Sequence, residues 1–297
     1  MAISVVVLAA GLATRYRRPK QLDPLGPHGE TLLDYGLHDA LEAGVDRVVI
    51  VTRAELLSAF QEHLERCWSH VPAAFALQDT PEDPLRRTPW GTGHAVLASA
   101  VEVDGPFVVC NADDFYGRTA WREAVGFIRN RPIETTGRYG VVGYPLATTL
   151  SSSGGVSRAV CEITGRHAVT AVTEWRNIRR AGDRIEAVGL DGARSVLEPE
   201  VPVSMNLWGF TADVFPRLQT QFERFRTSIG TDETAEFLLS QAIDEQVRGG
   251  EATLHLLPSG DDWFGLTHPA DRSGVVGRLR ALSDTGEYPP VHCLDSN

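Results

Sequence analysis

Of the 28 basic residues in the chain, 27 are arginine and one, Lys20, is lysine. An ammonium is a compact, flexible point charge and a guanidinium a planar fork, so a solitary lysine draws attention to its neighbours. They read Leu8-Ala9-Ala10-Gly11-Leu12-Ala13-Thr14-Arg15, then Pro19-Lys20-Gln21-Leu22, directly after an apolar, β-branched run over residues 3–9. At the carboxyl end of a buried parallel strand, small residues leave room for a phosphate chain to lie against backbone N–H groups. Arg15 and Lys20 follow at short spacing and complete a polyphosphate cradle. Two better-known phosphate loops are excluded, since there is neither a GxxxxGK[ST] nor a GxGxxG with a ribose-binding acid after it.

A cradle needs a strand to carry it. The run over residues 3–9 reads as a strand buried on both faces. Thr31 can cap a helix whose apolar positions Leu33, Leu37, Ala40 and Leu41 follow the helical period and which stops at Gly44. Arg47–Thr52 is a further strand, and strand, helix, strand with tight connections predicts a parallel βαβ unit. The pattern continues with a strand at 73–78, a helix at 93–101 and the strand Phe107–Asn111. A second, less regular wave has strands at 139–144, 156–162, 169–175 and 203–210, joined by polar, glycine-rich stretches at 151–155 and 181–192. Two helices follow, at 212–225 and 233–247. The second is capped by Asp232, carries Ala235, Leu238, Leu239, Ala242 and Ile243 on one face, and ends at Gly249. A strand at 251–257 and a helix at 268–282 close the chain.

Composition bounds the function. The chain has 297 residues, a formal charge of −11, 42% apolar and 23% charged residues, an ordinary globular mixture. No window approaches the length of a membrane span. The N-terminal run lacks a positive start and turns basic instead of cleavable, so the expected setting is cytoplasmic. The acidic balance disfavours nucleic acid as a partner. Cys67, Cys110, Cys161 and Cys293 lie far apart without a CxxC pair, which argues against a disulfide framework or a structural metal. No repeat or linker divides the chain. It reads as one α/β domain over 1–297, with a nucleotide half to about residue 115, an acceptor half to about 282, and a C-terminal tail.

The stretch from Leu8 to Leu22 resembles the LAAGxxTRxxxPKxL signature of the sugar nucleotidyltransferases, the nucleoside-diphosphate-sugar pyrophosphorylases. Four further segments follow in that family's order. Trp90-Gly91-Thr92-Gly93-His94-Ala95 is similar to the nucleobase-binding GTGHA stretch of N-acetylglucosamine-1-phosphate uridylyltransferases. Asn111-Ala112-Asp113-Asp114 falls where the family places its metal-binding Asp. Ala171-Val172-Thr173-Glu174 and Ser204-Met205-Asn206 look like sugar-holding segments, and residues 263–271 resemble the closing motif. The resemblance implies an α/β fold of glycosyltransferase-A-like, Rossmann-like type, with a mixed, mainly parallel sheet flanked by helices. The implied reaction is Mg²⁺-dependent, in-line attack of a sugar 1-phosphate, or a sugar-like phosphate, on the α-phosphorus of a nucleoside triphosphate, with UTP favoured. Arg15 and Lys20 are the implied catalytic cations. Leu8, Ala9, Ala10, Gly11, Gln78, Gly91, Thr92 and Gly93 are the implied nucleotide contacts. Gly155, Glu174 and Asn206 are the implied sugar contacts, and Asp113 the implied metal ligand. His94 reads as a structural residue at the start of a helix, and Trp90 as a packing residue with stacking on the base as the alternative.

Bringing two anions together is the main obstacle. A pair of like unit charges about 4 Å apart costs on the order of 4 kcal/mol near a protein surface, so neutralisation and positioning are the expected catalytic task. The pattern departs from the family in the closing motif. Thr267 stands where a second Asp or Asn ligand is usual, leaving Asp261, Asp262 or Thr267 as the second ligand, or Asp113 alone. Two alternatives compete: a glycosyltransferase of the same fold, for which the cradle has no use, and a catalytically silent nucleotide-sugar sensor.

Overall fold

The computed structural model describes residues 2–11, 20–78, 88–130, 136–230, 232–291 and 293. Arg15 lies outside them. The first strand, β1 (Ser4–Leu8), has its first four residues buried, as expected of a strand covered on both faces. It is followed by α1 (Leu32–Glu42), β2 (Arg47–Thr52), α2 (Ala54–Cys67), β3 (Ala73–Leu77), α3 (Thr92–Ala98) and β4 (Phe107–Asn111). β1 pairs in parallel with β2 and β4, and β2 with β3. The βαβ reading of the first half therefore holds. Thr31 caps α1 as predicted: its hydroxyl accepts from Asp34 N, and the Asp34 carboxylate accepts from Thr31 N. The amphipathic helix α2 has no counterpart in the predicted pattern.

The second half brings β5 (Asp114–Phe115), α4 (Arg118–Arg129), β6 (Arg138–Pro145), β7 (Val156–Thr164), β8 (Ala168–Ala181), β9 (Arg184–Gly189), β10 (Arg194–Leu197) and β11 (Pro202–Phe210). After these come α5 (Val214–Ser228), α6 (Leu239–Arg248), β12 (Thr253–Pro258), β13 (Phe264–Gly265) and α7 (Arg272–Asp284). Among the described residues eleven strands form one mixed sheet in the order β10-β9-β8-β12-β6-β11-β4-β1-β2-β3, with β7 paired to β11 and β8. The stretch expected to be a connection at 181–192 instead holds β9, paired back on β8 across a turn at Gly182, where φ is 62°.

Each face of the sheet carries its own core. Leu33 and Leu37 of α1, Phe60 of α2 and Trp121 of α4 pack on one face. Val96 of α3, Leu218 of α5 and Ile243 of α6 pack on the other. A third, smaller cluster joins the two-stranded ribbon of β5 and β13 to α7 and to Tyr288, through Phe115, Phe264 and Leu279.

Two expectations are corrected. The predicted helix from residue 233 begins only at Leu239. Asp232 caps nothing longer than a turn, accepting from Thr234 N and Oγ1, because the main chain of Phe237 is bonded to another segment: its N–H donates to Trp90 O (2.6 Å) and its carbonyl accepts from Gly93 N (2.9 Å). Tertiary bonding here overrides helical periodicity. Secondly, Cys67 and Cys293 form a disulfide across 226 residues of sequence. Sequence distance carried no information about their spatial distance. Cys110 and Cys161 are free and buried.

Candidate active site

In an open α/β sheet the carboxyl ends of parallel strands leave a crevice for ligands. Leu8 of β1 and Asn111 of β4 are register partners at that edge, and beyond them opens a cavity of about 450 Å³. Leu8, Ala10 and Gly11 line it, but Ala9 does not. Ala9 is fully buried and its N–H donates to Val51 O (2.8 Å), so that residue secures the sheet.

Asp113 reaches the cavity from the turn after β4, and Lys20 meets it. Lys20 Nζ donates to Asp113 Oδ2 (2.8 Å) and also to the carbonyl of Leu266. The sole lysine and the strand-end carboxylate predicted to work together are thus in contact, 93 residues apart in sequence. The bond to Leu266 adds what the sequence did not show: the closing motif reaches this centre through a main-chain carbonyl. Leu266 N in turn donates to Asp113 O (3.2 Å). Gly265 is required in this contact, because a Cβ there would lie 2.2 Å from Asp114 Oδ1. The Thr267 and Asp262 side chains are elsewhere. Thr267 lines a separate cavity with Arg158 and Trp263, and Asp262 is exposed beside Arg278 (3.5 Å). Asp261, another acid of this stretch, caps the first turn of α4 at Thr119 N.

On the opposite wall Gln78, 4% exposed, donates from Nε2 to Gly91 O (2.7 Å), which ties the end of β3 to the Gly91-Thr92-Gly93 turn. Gln78, Gly91 and Thr92 line the cavity; Gly93 does not. The two glycines serve Phe237. A Cβ on Gly91, whose φ is 103°, would lie 2.7 Å from Phe237 O, and one on Gly93 would lie 2.7 Å from its ring. Thr92 Oγ1 accepts from Leu239 N (3.0 Å), fixing the start of α6. Trp90 packs edge-to-face on Phe222 and Phe225, and His94 packs on Phe222, so both are packing residues as expected.

Asn206 lines the cavity because β11 breaks register between Ser204 and Trp208, and Asn206 takes a left-handed backbone, φ 65°. Asparagine tolerates that conformation better than most residues. Glu174 lies outside the cavity, on β8 in the row that runs from Ser204 through Ala159. It accepts from Ser240 Oγ (2.9 Å), and burial raises its pKa. Gly155 is also outside; its missing side chain leaves room for Asn177, whose Oδ1 would sit 2.3 Å from a Cβ.

Of the residues lining the cavity, Gln21, Thr88, Pro89, Ala95, Asn111, Glu236 and Leu238 were not assigned to the site from the sequence. Glu236 and Leu238 come from the segment expected to be helical, and no local signal places them. Asn111 had one: it is the polar end of an apolar strand, directly before the acidic pair. Next to it Asp114 is buried, and desolvation, with the nearby Asp113 charge, raises its pKa. Arg158, also buried, has its pKa lowered to about 10 by desolvation.

The sheet order and the cavity at the strand ends follow the Rossmann-like, glycosyltransferase-A type of fold. Residues 5–116 match the family described as the MobA-like NTP transferase domain. A stretch of 115 residues is 35% identical to the bifunctional protein GlmU of Caulobacter vibrioides; it covers 37% of this chain and 22% of that protein, so the match spans about a fifth of GlmU. Among solved structures, a UDP-glucose pyrophosphorylase complexed with UDP-glucose superposes with a TM-score of 0.63 at 15% identity, covering 96% of this chain and all of the other. The inositol-1-phosphate CTP transferase from T. maritima gives 0.61 at 13% identity, over 94% and 96% of the two chains. The UDP-glucose pyrophosphorylase from Acinetobacter baumanii gives 0.63 at 16%, over 98% and 96%. These findings agree with the resemblance to the sugar nucleotidyltransferases and with the mixed α/β fold it implied, but the expectation of a mainly parallel sheet is corrected. Among the described residues the parallel pairings are confined to β1, β2, β3 and β4 and to β6 with β12, and the other pairings are antiparallel.

Proposed function

We propose that this protein condenses a nucleoside triphosphate, UTP foremost, with a sugar 1-phosphate or sugar-like phosphate, giving a nucleotide sugar and pyrophosphate. The observation that carries the proposal is the meeting of the only lysine with a strand-end aspartate at a cavity built where parallel strands end. Lys20 supplies positive charge where the two phosphates approach, and Gly11 and Ala10 leave room for the phosphate chain beside the main chain. Arg15 is assigned to the triphosphate on the sequence motif alone. The Gln78 carboxamide, held by Gly91 O, keeps an oxygen and a second N–H for a base edge. Asn206 is assigned to the acceptor sugar, with Glu174 and Gly155 as outlying members of that side.

The residues present suit Mg²⁺. Among the described residues no group of three or more His, Cys, Asp or Glu could cage a metal, and Asp113 and the Asn111 amide oxygen are hard donors of the kind that hold an ion otherwise bound by phosphate and water. When bound, Mg²⁺ would neutralise phosphate charge as the pyrophosphate leaves. Asp113 is the ligand proposed, with Asn111 rather than Thr267 or Asp262 beside it. A cytoplasmic setting belongs to the same proposal on the sequence reading alone, and the Cys67–Cys293 disulfide, a bond rare in reducing compartments, speaks against it.

The test is pyrophosphate release with Mg²⁺, the four nucleoside triphosphates and a panel of sugar 1-phosphates and cyclitol phosphates. Release that depends on both substrates supports the reading. Liberation of a nucleoside diphosphate from a nucleotide sugar would favour glycosyl transfer, and nucleotide-sugar binding without turnover a sensor.

A further inference from the structure

Behind the cavity wall runs a chain of hydrogen bonds with a single direction. The indole N–H of Trp208, which can only donate, donates to Asn206 Oδ1 (3.3 Å). Asn206 Nδ2 donates to Asn111 Oδ1 (3.4 Å), and Asn111 Nδ2 donates to Asp114 Oδ2 (2.7 Å). The Tyr116 hydroxyl, whose shorter donor bond goes to Met205 O (2.8 Å), lies 3.3 Å from the same Asp114 oxygen and accepts from Asn111 N (2.9 Å). A buried indole donor therefore begins the relay and an acceptor oxygen ends it, so neither carboxamide can turn over without setting two donors or two acceptors face to face.

We propose that Asp114 is a positioning residue for Asn111. By accepting from Nδ2 it turns the NH₂ group inward and leaves the amide oxygen as the polar atom Asn111 presents beside Asp113 at the cavity. This rests on the proposed function, in which that corner receives the metal-bound triphosphate. A flipped carboxamide would present two N–H bonds there instead, which repel a cation. Asp114 touches no substrate in this account; it acts through Asn111.

A double-mutant cycle tests this, using Asn111→Ala, Asp114→Asn and the pair. Three quantities are measured: kcat and KM for pyrophosphate release, calorimetric affinity for the Mg²⁺–nucleoside triphosphate, and thermal unfolding. If Asp114 acts through Asn111, each single variant lowers kcat/KM about 10- to 100-fold, and nucleotide affinity falls with it. The double variant is then no worse than Asn111→Ala alone. Multiplying losses, or wild-type kinetics in Asp114→Asn, would overturn the role. In the wild-type protein, asparagine-selective ¹⁵N labelling should show the Asn111 NH₂ protected from solvent exchange. That measurement does not depend on a variant folding, and rapid exchange there overturns the proposal. It also separates the two readings: a wild type with a protected Asn111 that releases no pyrophosphate from any substrate pair sinks the proposed reaction while the fixed carboxamide stands.

Discussion

At the scale of single residues the site turns on a charge that occurs once. Lys20→Ala is expected to lower turnover roughly 10²- to 10³-fold, the scale of losing one stabilising donor. Its circular dichroism and unfolding temperature should stay close to wild type, because the Lys20–Asp113 pair is partly exposed; wild-type turnover would remove Lys20 from the mechanism. Lys20 was legible through its rarity and its motif, and Asp113 through its place at the end of an apolar strand. Asn111 showed only as the polar end of that strand, since its proposed role depends on Asn206, 95 residues away, meeting it from β11. A second residue has a pH signature. Asp39 of α1 lies buried, accepts from the Tyr288 hydroxyl (2.9 Å), and has its carboxyl pushed up to about 7 by desolvation. An acid whose folded pKa exceeds its unfolded value of about 3.9 binds more protons when folded. Its contribution to stability is therefore full below pH ~4 and is lost as pH rises toward ~7. Unfolding temperatures of Asp39→Asn and wild type, compared at several pH values from 5 to 8, should diverge in favour of the variant as pH rises; parallel curves would show that Asp39 does not titrate in this range.

Elements were legible where local rules and tertiary demands agreed. Thr31 and Asp34 close a capping box on α1, and Thr31→Ala is expected to cost about 1 kcal/mol, read from denaturant unfolding. The start of α6 shows the opposite case. Residues 233–238 have helical periodicity, yet Phe237 spends its backbone groups on Trp90 and Gly93, so the helix begins at Leu239 under the Thr92 hydroxyl. This same ladder fixes the turn that Gln78 holds. Gly91→Ala introduces a Cβ 2.7 Å from Phe237 O at a φ of 103°, and strain of this kind costs on the order of 1–3 kcal/mol. The expected result is a lower unfolding temperature together with a raised KM for the nucleoside triphosphate. An unchanged KM would show that this turn does not shape the nucleotide site.

Across the whole molecule, the C-terminal segment is bound back onto the opening half. Tyr288 packs on Tyr35 and Phe115 and bonds Asp39, while Cys293 is joined to Cys67 at the end of α2. A crosslink closing so long a loop stabilises by about 2–4 kcal/mol, mainly by restricting the unfolded chain. Cys293→Ser should therefore unfold at lower temperature than wild type, and a reducing agent should lower wild type to the variant's level while leaving the variant unmoved; equal unfolding temperatures without reductant would show that the crosslink contributes nothing. What the sequence by itself determined is the set of local instructions: the apolar β-branched first strand, the βαβ order, the cap of α1, the small residues before a lone lysine and the acid after β4. These follow from steric and hydrophobic rules that act over a few residues. The tertiary structure alone decided that Leu266 reaches Lys20, that Phe237 interrupts a helix, that Cys67 finds Cys293, and that Asn206 meets Asn111 from β11. Those contacts join residues tens to hundreds of positions apart, and no periodicity or spacing encodes them until the sheet has brought its strand ends together.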